Sequence, residues 1–144
     1  MLSLKKIFVA LAGPLINLLL MFIIFYLNIN ENMKLQMIYA NLILAVFNLL
    51  PVYPLDGGRI LKGILHINFG IQKSEFYTNI ISKITVTIIT ILSSVLILYI
   101  HNIAIALIDM YLWYLVIKED TIYKKREKIL ENINKKTLEN ETNS

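Results

Sequence analysis

The sequence predicts an all-α polytopic membrane protein, and three observations carry that prediction. Of its 144 residues, 57% are hydrophobic and only 17% charged, where a soluble globular chain has about 45–50% and about 25%. The twenty-one residues from Ile7 to Leu27 carry no charge, enough at about 1.5 Å per residue to cross a ~30 Å hydrocarbon core. The basic residues, finally, gather near the ends of apolar runs and form no single patch. That distribution removes nucleic acid as a partner, although the net charge is +4. Seven of the fourteen Lys and Arg fall from Lys118 onward, where six acids accompany them. With no cysteine in the chain, disulfides, thiolate metal ligands and cysteine nucleophiles are excluded.

Taken in order, the first span is 7–27. Gly13 and Pro14 inside it are expected to kink the helix or to let a neighbour come close. Its length, and the lack of a small-residue cleavage site at its end, argue against a signal peptide. The second span is expected over 35–50, closed by Pro51, and the third and fourth over 84–100 and 103–117. Only His101 and Asn102 separate the last two, which predicts a tight antiparallel pair. Segment 51–83 is too apolar for a solvated loop yet holds Pro51, Pro54, Gly57, Gly58, Gly63 and Gly70. We read it as broken, re-entrant-like backbone at the cytoplasmic face, with a short amphipathic helix over 59–66. Residues 118–144 form a charged cytoplasmic tail, beyond a membrane core of residues 1–117. Placing 1–6, 51–83 and 118–144 on one side puts 2, 4 and 7 basic residues there, 13 of the 14. The positive-inside rule then sets both termini in the cytoplasm.

The stretch that can carry chemistry is Asn48-Leu49-Leu50-Pro51-Val52-Tyr53-Pro54-Leu55-Asp56-Gly57-Gly58-Arg59. Two prolines three apart end the second span and hold the chain extended. A carboxylate follows beside two glycines, which allow close approach of backbone or substrate. At a helix N-terminus Asp56 would stay ionised and ready for a cation. It would equally serve as a helix cap with Arg59 as its ion-pair partner, and spacing leaves the two open. Asp109, mid-span, is suspect as an intramembrane carboxylate. Asn17 and Asn41 read as interhelical hydrogen-bond donors; Tyr111, Trp113 and Tyr114 read as interfacial anchors. His66 and His101 read as ordinary interfacial residues.

Residues 48–61, NLLPVYPLDGGRIL, closely resemble the Asn-Pro-Asp-Gly signature of the site-2-protease family of intramembrane zinc metalloproteases. Ala12-Gly13-Pro14-Leu15-Ile16-Asn17 resembles that family's upstream Ala-Gly-Pro-x-x-Asn segment. The compact form, with two glycines after the aspartate, looks most like the sporulation branch, the stage IV sporulation protein FB group. The resemblance covers roughly residues 5–117, with motif-grade identity in these two segments.

It implies regulated intramembrane proteolysis, with Zn2+ held by two histidines of an H-E-x-x-H helix and by Asp56 as third ligand. It gives Asn48 a hydrogen bond to the substrate or developing oxyanion, and it makes Gly57 and Gly58 the place where an unwound substrate strand approaches. Gly13, Pro14, Asn17, Pro51 and Pro54 become structural parts of the motifs. The implied partners are a membrane-associated protein substrate, a sigma-factor precursor in the sporulation branch, and regulatory membrane proteins. The implied location is a bacterial cytoplasmic-type membrane.

One departure stands out. No H-E-x-x-H occurs in the 144 residues, so one of three expected ligands is present and the general base is missing. His66 is ten residues beyond Asp56, about 15 Å along a helix, too far to share a metal. The expectation is a C-terminal part of a protease core, inactive alone, whose remaining ligands precede Met1. The alternatives are a non-catalytic scaffold or pseudoprotease, and a small ion transporter using Asp56 and Asp109 in one cavity.

Overall fold

In the computed structural model, which describes residues 2–100 and 102–142, five helices follow one another. They are α1 Leu2–Tyr26, α2 Glu31–Asn48, α3 Asp56–Phe69, α4 Ile71–Ile100 and α5 Ile103–Thr142. Their boundaries have local causes. The side chain of Asn30 accepts from the Asn32 N–H at 3.0 Å, and Glu31 in the first turn of α2 suits the positive end of the helix dipole. After Asn48 the prolines at 51 and 54 forbid continuation. Gly70 ends α3 with φ +80°, its N–H bonded to the His66 carbonyl at 3.1 Å, a backbone conformation that suits glycine. Helix α4 starts on the next residue, the Ser74 N–H reaching the Gly70 carbonyl at 3.1 Å. Asn102 caps α5 by accepting from the Ala104 N–H at 3.0 Å.

Helix α1 packs on α2 and on α3, α3 on α4, and α4 on α5. Thus α3 is the bridge between two helical hairpins. Its neighbour α4 turns Ser74, Thr78 and Ser82, one turn apart, inward as buried residues. Two of these hydroxyls are satisfied by α4's own carbonyls, Ser74 on Ile71 at 2.7 Å and Thr78 on Ser74 at 2.6 Å. One turn further on, Val86 joins Val52, Leu112 and Val116 in the hydrophobic core. Phe47, Leu50, Leu55, Ile89 and Trp113 pack around them. A loop residue, Val52, is therefore a central core side chain.

Much apolar surface stays uncovered. The chain exposes 10768 Å2, whereas a compact soluble chain of 16.6 kDa exposes ~7,600 Å2. Part of the excess is the 40-residue α5. Part is α1, whose Phe8, Val9, Leu15, Ile16, Leu19 and Phe22 are exposed. Leu4–Tyr26 and Ile71–Tyr99 are the two described stretches long and apolar enough to cross a membrane.

Several expectations need correction. The span expected over 84–100 belongs to a helix that begins at Ile71. The segments expected over 35–50 and 103–117 lie in α2, which ends at Asn48, and in α5, and neither helix holds a stretch that is both long and apolar enough to match the other two. In α2 the cause is composition: Glu31, Asn32, Lys34, Gln36 and Asn41 leave a short apolar run. The broken backbone expected across 51–83 shrinks to residues 49–55 and the single residue Gly70, because Gly57, Gly58 and Gly63 all sit inside α3. Pro14 lies inside a continuous α1, while the close approach of a neighbour expected at Gly13 is present. The tail from 118 extends α5 without a break. Asn41 donates to the Met37 carbonyl of its own helix at 2.9 Å, so it makes no interhelical bond through that group. Trp113 is half-buried and donates to Thr90 at 2.8 Å, which makes it a packing residue more than an interfacial anchor. His101 lies outside the described residues.

Candidate functional site

The site begins with the loop 49–55, and the loop is pinned from several sides. The Leu55 N–H bonds the Val52 carbonyl at 2.8 Å, closing a turn that contains the cis Tyr53–Pro54 peptide. Val52 is fully buried between α4 and α5. The Tyr53 N–H donates to Ser82 Oγ at 3.0 Å, and Ser82 Oγ lies 3.5 Å from the Pro51 carbonyl. One hydroxyl of α4 thus fixes the loop that leads into Asp56. Sequence reading passed over Ser82. The available signal was three small hydroxyl residues at helical spacing, 74, 78 and 82.

Asp56 is the first residue of α3. The cap position is Leu55, and no side chain caps the helix. The carboxylate therefore makes no capping hydrogen bond, and of the capping alternative only the Arg59 ion pair is present. The Arg59 ion pair is long, 3.9 Å, with the Arg59 side chain about half exposed, a geometry worth little in solvent. Across the interface the carboxylate faces α1: a Cβ built on Gly13 would meet Asp56 Oδ2 closer than 3.0 Å and Cγ at 3.4 Å. Gly13 is thus the floor on which the carboxylate rests, and the two sequence motifs meet at that point. Pro14 beside it is buried, and Asn17, one turn on, is half-buried.

Gly57 and Gly58 are also buried. A Cβ at Gly57 would strike the Leu49 and Leu50 backbone, and one at Gly58 the backbone of Val52 and Tyr53. What fills the space beside them is the chain's own loop. Asn48 ends α2 half-buried; among the described residues its side chain makes no hydrogen bond.

Other candidates lie apart. Asp109 accepts from Thr90 Oγ1 at 3.0 Å in the α4–α5 interface, while Asp56 faces α1. His66 lines a cavity near the start of α1 with Lys5 and Lys6. In the first half of α4 and along the tail, two ion-pair clusters tie the helices together. Glu75 receives Lys62 of α3 at 2.9 Å and Arg126 of α5 at 2.7 Å. Asp120 receives Lys83 at 2.6 Å, Asn79 at 2.7 Å and Lys124 at 2.9 Å. The hydrogen bond from Lys83, then that from Asn79, holds the Asp120 carboxyl well below the usual carboxylate range. Burial and the bond to Glu127 push the Tyr123 hydroxyl up to about 12.

Among the described residues no three of His, Cys, Asp and Glu converge closely enough to hold a metal ion. Asp56 suits one position of a zinc site, being a carboxylate without a cap or a close counter-ion. The rest of such a ligand set is not among the described residues.

Residues 31–92 match peptidase family M50, a stretch that contains Asn48, the loop, Asp56 and both glycines. The chain is 31% identical over 137 residues, 90% of its length, to a protein of Methanocaldococcus jannaschii named "Zinc metalloprotease MJ0392". It spans 39% of that relative. No solved structure matches the chain significantly.

Proposed function

We propose, from the M50 match over residues 31–92 and the setting of Asp56, that this chain is the aspartate-bearing part of an intramembrane zinc metalloprotease. The observation that carries the reading is the meeting of Gly13 and Asp56: a carboxylate free of capping duty, seated on a residue without a side chain. Asp56 would be the zinc ligand contributed here. When bound, the metal would polarise the scissile carbonyl and activate water. The chain's own residues do the positioning. Ser82 and Val52 hold the loop, Gly57 and Gly58 let that loop fold against α3, and Gly13 fixes the carboxylate from the opposite side. The Asn48 side chain, uncommitted at the mouth of the loop, is available to hydrogen-bond a substrate backbone or oxyanion.

With no H-E-x-x-H in its 144 residues, the chain alone should not hydrolyse peptides. The relative, of which it spans 39%, supports reading it beside further ligands. The substrate would be a membrane-associated protein cleaved near the cytoplasmic face, with regulatory membrane proteins as further partners. Assignment to the sporulation branch and a sigma-factor precursor rests on the compact Asp56-Gly57-Gly58 form alone.

The test is cleavage of a tagged single-span membrane substrate by the protein in its native membrane. The reading requires that Asp56→Ala abolish cleavage while Asp109→Asn leaves it. Unchanged cleavage in Asp56→Ala would end it.

A further inference from the structure

An open cleft of about 420 Å3 lies between the first turns of α1 and the body of α3, within the range of small-molecule sites. Lys5 and Lys6 of α1, and Arg59, Lys62 and His66 of α3, line it, and no carboxylate does. Like charges on two packed elements repel unless an anion sits between them. Some of this charge is already answered: Lys62 reaches Glu75, and Arg59 lies at long range from Asp56. Lys5 and Lys6 are exposed and, among the described residues, make no ion pair. Immediately after them begins the uncharged run from Ile7, whose Phe8 and Val9 are each 71% exposed; Val9 also lines the cavity.

A ligand that fits must be anionic at one end and apolar directly below. We propose that this cavity binds the phosphate headgroup of an anionic phospholipid, with its acyl chains laid along α1 beside Phe8 and Val9. Basic pockets between helices at the cytoplasmic surface suit such headgroups, each lysine near the surface contributing about 5-fold in affinity. The proposal needs the membrane setting but not the protease chemistry, so lipid binding and peptide cleavage can fail separately.

The test is lipid titration of the full protein in detergent by native mass spectrometry, with phosphatidylglycerol, phosphatidylcholine and inorganic phosphate as separate probes. Phosphatidylglycerol should bind in clear preference to phosphatidylcholine. The double variant Lys5→Gln/Lys6→Gln should weaken it by about 30-fold with Trp113 fluorescence unchanged. Lys135→Gln/Lys136→Gln removes equal charge about 25 Å along α5 beyond Lys118 and should leave it unaltered. Equal binding of the two lipids, or an equal loss in the tail variant, would overturn the proposal. So would inorganic phosphate binding without lipid in a Lys5- and Lys6-dependent manner, which would assign the cavity to a soluble phosphate.

Discussion

Two glycine-to-alanine substitutions separate what the structure asks of Gly13 from what it asks of Gly57. At Gly57 the added methyl meets backbone atoms of Leu49 and Leu50. Those atoms belong to a loop whose Val52 is buried in the core and whose Tyr53 N–H is bonded to Ser82. Nothing there can rotate away, so Gly57→Ala should cost at least the ~1–3 kcal/mol typical of overpacking. At Gly13 the methyl meets only the tip of a side chain, Asp56 Oδ2, with Cγ at 3.4 Å. The carboxylate can swing aside for about 0.5–1.5 kcal/mol, and alanine inside α1 returns about 1 kcal/mol of helix propensity. Stability should therefore change by less than about 1 kcal/mol, while the carboxylate leaves its seat. Displacing a group that orients a ligand lowers metal affinity or activity by about 10–100-fold. Trp113 is the sole tryptophan and packs on the core, so its fluorescence during unfolding in mixed micelles reports the stabilities. Cleavage in native membranes reports the site. Equal destabilisation by both substitutions, or full activity in Gly13→Ala, would refute the reasoning.

Ser82→Ala strips the Tyr53 N–H of its acceptor and should cost about 1–3 kcal/mol, measured by the same unfolding assay, with Ser94→Ala on the exposed face of α4 near neutral. Asp120 has its carboxyl held low by Lys83 and Asn79. Its folded-state pKa lies below the unfolded one, so its stabilisation is complete above the ordinary carboxylate range, about 4, and fades as pH falls through and below it. Unfolding profiles between neutral pH and pH 3 should therefore slope downward in acid for the native protein and less so for Asp120→Asn. Glu75→Gln removes the carboxylate that joins Lys62 of α3 to Arg126 of α5. It should cost about 1–3 kcal/mol, between exposed and buried pairs, and should move the first tryptic cuts from Lys135 and Lys136 toward Lys124–Lys128.

How far the sequence reached is clearest around Asp56. Two prolines, an aspartate and two glycines were enough to place a helix start there, because proline and glycine act through local backbone geometry. The helical class followed from composition and uncharged runs, and the first span from its length. What the sequence could not disclose was tertiary. That Gly13 lies under the Asp56 carboxylate depends on how α1 crosses α3, which no local rule fixes. The same holds for Ser82, whose hydroxyl reads as neutral inside a helix until the loop is laid against it. The broken region was drawn too wide because glycines at 57, 58 and 63 look like helix breakers. In the fold they are helix residues, the first two selected because backbone presses against them. The charged tail was legible as charged, but the ion pairs that bind it to α4 join residues 37 and 51 positions apart.

The most direct test of the central claim is the zinc affinity of the protein isolated from its native membrane, wild type against Asp56→Ala, with Asp109→Asn as control. If Asp56 is a ligand, one zinc is held per chain, Asp56→Ala weakens it by at least ~100-fold, and Asp109→Asn holds it as the wild type does. Zinc held equally well by Asp56→Ala would contradict the account.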